Sequence, residues 1–116
     1  MTPQDIRLQI MSQATEDFTG LWELAGAQPD TEMDGLVSAV ATLIRERLVT
    51  VYRGTNFTKE DARLAATIAE REIRKPGFWE WSAPERGPHL RLIATDRGRD
   101  WYFAQRQVPA VARLVS

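Results

Sequence analysis

The chain has no cysteine and a single histidine among its 116 residues. Disulfides, thiolate zinc sites and cysteine nucleophiles are thereby excluded, and one imidazole cannot supply the two or three of a common catalytic zinc site. No run of about 18 apolar residues is present to span a bilayer, and the start MTPQDIRLQI lacks the basic-then-apolar order of a secretory signal. The expectation is a protein of the cytoplasm with no membrane partner. Glycine is sparse too, and TDRGRD around Gly98 lacks the repeated glycines and the Lys-Ser/Thr ending that cradle phosphate. No metal, cofactor or small-molecule ligand is implied, and the chain reads as noncatalytic.

What is present is an ordinary globular composition. Hydrophobic residues make up 43% and charged residues 27%, which suits one core in a chain too short for two, so residues 1–116 read as a single domain. Arginine outnumbers lysine by 13 to 2, a bias that goes with a GC-rich bacterial coding sequence. Net charge is −1, but residues 1–57 carry 4 basic and 8 acidic side chains while residues 58–116 carry 11 and 8. Such a split orients a partner, or a second copy of the chain, by electrostatic complementarity.

Thr2 as a cap, Pro3 at the first helical position and Asp5 in the first turn predict a helix over residues 3–15, with Ile6, Ile10, Met11, Ala14 and Phe18 on one face. A short helix over 20–26 is expected around Leu21, Trp22 and Leu24. Asp30 or Thr31 then caps a helix whose Met33, Leu36, Val37, Val40, Leu43, Ile44 and Leu48 share a 3.6-residue stripe. LVTVYRG alternates as a strand up to Gly54. Thr58 and Asp61 form a capping-box-like pair before KEDARLAATIAEREIRK, where Ala62, Ala65, Ala66, Ala69 and Ile73 make a smooth packing face. PGFWEWSAPERGP is a breaker-rich loop pinned by aromatics, and HLRLIAT reads as a second strand. A helical pattern restarts at Thr95, and Pro109 begins a last short helix.

This order is α+β and mainly helical, with the second strand running into LIATDRGRDWYF. Through Thr95, Gly98, Arg99, Trp101 and Tyr102 in that passage, the chain resembles the winged-helix superfamily of small bacterial proteins. The resemblance implies a winged-helix-like three-helix core with a two-stranded wing, the helix begun by Thr58 being an inserted helix that covers one side. It also implies a third helix that, in DNA-binding members, lies in the major groove. Two features depart from that pattern. The third helix opens with Asp30, Glu32 and Asp34, and its expected outer face of Gly35, Ser38, Ala39, Thr42, Arg45 and Glu46 has cations only at the far end. The wing would hold about 35 residues where a tight hairpin is usual.

The leading expectation is therefore a noncatalytic interaction module that binds a protein partner or itself as a homodimer, with a DNA-binding transcriptional regulator as the alternative. Candidate contacts are Arg45, Arg47, Arg53, Arg91, Arg97 and Arg99, joined by Trp79 and Trp81, which either stack on a base or peptide or simply cover the core edge. The homodimer would use Val108, Val111, Leu114 and Val115. His89 reads as a surface histidine, and Glu16 with Asp17, or Glu80 with Glu85, as solvated charges rather than a catalytic pair. Ile10, Leu36, Val40, Ile44 and Leu92 are expected in the core. Val40→Asp or Ile44→Asp should abolish cooperative thermal unfolding; a variant that melts with the wild type would show the phase assigned to the third helix to be wrong.

Overall fold

The computed structural model describes residues 2–55, 61–81 and 87–115, the side chains of 107–115 excepted. The expectations for Thr58, Glu85 and the apolar side chains of Val108, Val111, Leu114 and Val115 lie outside the described residues. Helix α1, Pro3–Ala14, starts on a reciprocal cap in which Thr2 Oγ1 accepts from the Asp5 amide at 3.1 Å and Asp5 Oδ2 from the Thr2 amide at 3.0 Å. Hydrogen bonding from Thr2, its backbone amide first and its side chain second, holds the Asp5 carboxyl below its ordinary pKa. Ile6, Ile10, Met11 and Ala14 are buried. Phe18 does not follow them, because the helix stops at Ala14 and the phenyl ring meets Tyr52 instead.

Strand β1, Thr19–Gly20, is two residues long and leads directly into α2, Leu21–Ala27, which buries Leu21 and Leu24. Helix α3, Met33–Arg45, buries Leu36, Val40, Leu43 and Ile44 as its periodicity requires, and Ala39 and Ala41 as well. Ala39 was expected on the outer face. It is covered because α1 crosses this side: a Cβ on Gly35 would stand 3.7 Å from Ile6 Cδ1, and Pro3, Ile6 and Arg7 line a hollow with Gly35, Ser38, Ala39 and Thr42. Met33, in the first turn, is 43% exposed rather than on the buried stripe. At the other end Arg47 takes a left-handed φ of 61°. Its amide bonds to Ile44 O, and the Leu48 amide to Leu43 O, the paired bonds of a Schellman cap with arginine where glycine is usual.

The chain then forms β2, Val49–Gly54, and β3, Ala62–Arg63, followed by α4, Ala66–Glu72. The helix expected from Thr58 thus begins later. Ala65, not Asp61, stands at its N-cap, the Asp61 carboxylate pairs with Arg91, and of the smooth face only Ala69 and Ile73 are buried. A 3₁₀ turn at Pro76–Trp79 precedes β4, His89–Ala94, and α5, Asp96–Val115, closes the fold. α5 runs through Pro109 without the expected restart.

The sheet is antiparallel in the order β1-β4-β2-β3, four strands where a two-stranded wing was expected. β2 and β4 pair over six residues with Val51 opposite Leu92 and Tyr52 opposite Arg91. One face, with Val49, Val51, Leu90, Leu92 and Ala94, enters the core with α1 and α3; the other carries Tyr52, Arg91 and His89. β1 and β3 escaped sequence reading because two residues cannot show a period.

Thr95 joins these parts. Its amide bonds to Leu48 O at 3.0 Å, its hydroxyl donates to Arg47 O at 2.8 Å and accepts from the Gly98 amide at 2.9 Å. One residue therefore ends β4, caps α5 and clamps the α3–β2 turn. Gly98 lies within the first turn of α5, where a Cβ would collide with Leu48 O. Gly98→Ala should cost about 1–3 kcal/mol, read from the urea midpoint. Gly35→Ala, whose Cβ would meet only ordinary contacts, should be neutral or stabilise by up to about 1 kcal/mol. Equal effects of the two would remove the close approach at Gly98 as the cause.

Candidate functional site

The outer face of the sheet gathers several of the nominated residues. Arg91 Nη2 and Asp61 Oδ2 are 3.1 Å apart, with both side chains almost wholly buried. The guanidinium lies 4.8 Å over the Phe18 ring, and Phe18 stands edge-on to Tyr52 at 5.3 Å. Gly54 makes room for the carboxylate, since a Cβ there would overlap Asp61. Beside this pair, the His89 ring stacks on Trp81 at 5.0 Å and 5° and tilts against Trp22 at 4.7 Å. His89 is 2% exposed, so the surface histidine of the sequence reading is a buried one, enclosed because β4 crosses the middle of the sheet under two indoles.

The nominated contacts therefore do not form one patch. Arg91 leaves the surface through burial with Asp61. Trp79 is buried and donates its indole N–H to Ile73 O at 2.7 Å, so it covers the core edge, whereas Trp81 is 60% exposed and rests on His89. Arg45, at the end of α3, pairs with Glu70 of α4 at 2.7 Å. Arg53 lies 6.0 Å over the Phe78 ring and contributes to the positive field at Glu72. Arg47, Arg97 and Arg99 are exposed, the first on the α3–β2 turn and the others on the first turn of α5. Glu72 was not singled out by sequence. It is buried 2.7 Å from Lys75 Nζ, and this ammonium holds its carboxyl below the ordinary pKa against the opposing effect of burial. Glu16, Asp17 and Glu80 are exposed, as expected of solvated charges.

A site with converging chemistry lies elsewhere. After Arg63 the chain leaves β2 and turns into α4, and a cleft of about 380 Å³ opens between them. It is lined by Leu64 and the almost wholly buried Ile44, Val49, Val51 and Ala69, with the exposed Ala65 and Ala66 beside them. Arg47, Arg63 and Thr95 complete the lining. Among the described residues no acidic side chain lines it, and neither Arg47 nor Arg63 has an ion-pair partner. The volume falls in the lower part of the range of about 300–1,000 Å³ usual for ligand sites. The alanine-rich start of α4 was the sequence signal for it, read as a packing face rather than as the wall of an opening.

Among the described residues no group of three His, Asp or Glu side chains is placed to hold a metal ion, and no helix is long and apolar enough to cross a membrane. Comparison of the chain with protein-family models, with curated proteins and with solved structures finds no match. Arg91→Met should cost about 3–5 kcal/mol, because it takes the guanidinium away from a buried carboxylate. Adding Asp61→Asn should recover part of that loss, and a double-mutant cycle with no coupling would show that the pair does not organise the outer face.

Proposed function

We propose that this chain is a noncatalytic interaction module on a winged-helix-like scaffold, and that it binds protein, a partner or a second copy of itself, through the cleft between β2 and α4. The element order supports the scaffold: α1, β1, α2 and α3 come first, then β2 and, after β3 and α4, its antiparallel partner β4, which runs through Thr95 into α5. The observation that carries the protein reading over the DNA reading is the condition of α3. A helix that reads a major groove offers an open, cation-bearing face. Here α1 lies along the Gly35, Ser38, Ala39 and Thr42 side, Glu32 and Asp34 stand exposed at the start, and Arg45 is drawn to Glu70.

A DNA site would also need cations clustered on one surface, since phosphate neutralisation supplies most of the affinity. Arg91 is internal, and of the remaining candidates only Arg47 belongs to a shaped site. Fluorescence anisotropy with random and operator-like duplexes tests the choice. At physiological salt the expected binding is weaker than about 1 µM, without sequence preference and steeply weakened by added salt. Tight, sequence-selective binding would promote the regulator and remove the interaction module.

A further inference from the structure

We infer that β3 and its flanking residues Asp61 and Leu64 form a strap that leaves the sheet as a unit while the rest of the fold stays intact, and that the Arg91–Asp61 pair is the pin holding it shut over the cleft. That the opening regulates binding rests on the reading of the cleft as a docking site; the opening itself does not.

The closed cleft is the reason for a moving part. Ile44, Val49, Val51 and Ala69 line it, yet each is at most 4% exposed. Arg63, Leu64 and Ala65 line it as well, and they are consecutive residues of the segment that crosses from the sheet to α4. A guest touches the apolar lining only once this segment moves.

The strap is lightly held. β3 is an edge strand of two residues, and both Ala62 and Arg63 are exposed, so their side chains bury little. Its backbone is tied by the pairing of Arg63 with Tyr52 and of Ala62 with Arg53, and by the Leu64 amide, which donates to Val51 O at 2.9 Å. Leu64 is partly buried against the core. β4, on the other side of β2, pairs with it over six residues and sends Leu90, Leu92 and Ala94 into the core. Local opening follows the segment with the fewest buried apolar contacts, so the strap parts from β2 before β4 does.

Asp61 resists this release. Its side chain is 1% exposed, with Oδ2 3.1 Å from Arg91 Nη2, in space that Gly54 leaves free. Such a pair suits a reversible contact, because the desolvation of the two charges offsets much of their attraction. When the edge strand moves out, water returns to the carboxylate and to the guanidinium together. Arg91 stays behind on β4, over the Phe18 ring at 4.8 Å.

The test uses the full chain, labelled with ¹⁵N, and compares hydrogen exchange of the Leu64 amide, bonded to Val51 O, with that of the Thr95 amide, bonded to Leu48 O. In the wild type Leu64 should exchange roughly tenfold or more faster than Thr95, at a rate almost flat in low urea while that of Thr95 climbs. Asp61→Asn should raise the ratio of the two rates by roughly another tenfold. Ala62→Gly should speed Leu64 exchange and Ala62→Ile slow it, each by roughly threefold, with Thr95 unchanged; these two decide the matter if Asp61→Asn does not fold. Opening of the cleft is read separately. The chain has no cysteine, so Ala69→Cys places a single thiol in the buried lining, and its alkylation by iodoacetamide should accelerate with Asp61→Asn by the same factor as Leu64 exchange.

Leu64 and Thr95 exchanging at one shared, urea-dependent rate overturns the strap, and a rate ratio that Asp61→Asn leaves unchanged removes the pin. Faster Leu64 exchange with an unaltered thiol rate shows fraying that does not open the cleft, and overturns the inference as well. Both readouts are taken on the chain alone, so the strap stands or falls apart from the docking reading, which the duplex titration decides.

Discussion

Thr95 is the residue on which the arrangement turns. Its amide and hydroxyl donate to Leu48 O and Arg47 O, and the hydroxyl accepts from the Gly98 amide, so the end of β4, the turn after α3 and the start of α5 are held at one point. The bond to Leu48 O sets the phase of the six-residue β2–β4 pairing. That phase sends Val49, Val51, Leu92 and Ala94 into the core and puts Tyr52, Arg91 and His89 on the other side. A slip of one residue would reverse both faces, burying a guanidinium among aliphatic side chains. The same bond also decides which backbone groups of β2 face the cleft.

Charge is handled by separation. The densest ionic contact, Arg91 with Asp61, is inside the outer layer of the sheet, closed by Phe18 and Tyr52. Burying such a pair is not a cheap source of stability; its effect is to draw residue 61 across the sheet, which positions β3 against β2 and leaves the chain to depart at Leu64. The cleft follows from that departure. Arg45 is similarly withdrawn by Glu70, and the cations left beside the opening are Arg47 and Arg63.

The same contacts enclose α3. The wide burial of this helix, extending to Ala39 and Ala41, comes from its central position between α1, α4 and the sheet. A helix that packs on three sides has little face left to offer.

Much of the helical framework was determined by local sequence. Thr2, Pro3 and Asp5 start α1 by bonds within one turn, and the spacing of Leu36, Val40, Leu43 and Ile44 selects the buried side of α3, because a helix is built from contacts three and four residues apart. The strands at Val49–Gly54 and His89–Ala94 were legible for a similar reason, each with a long enough run of strand-forming residues. What only the tertiary structure decided involves partners distant in the chain. Asp61 looked like a cap until Arg91, thirty residues on, claimed its carboxylate; His89 looked like a surface residue until Trp22 and Trp81 met over it. The cleft is of this kind as well, since its walls come from α3, β2, α4 and Thr95. No periodicity encodes such a juxtaposition, because it depends on strand register and on where β3 leaves the sheet, and both are set by long-range hydrogen bonds rather than by neighbours in sequence.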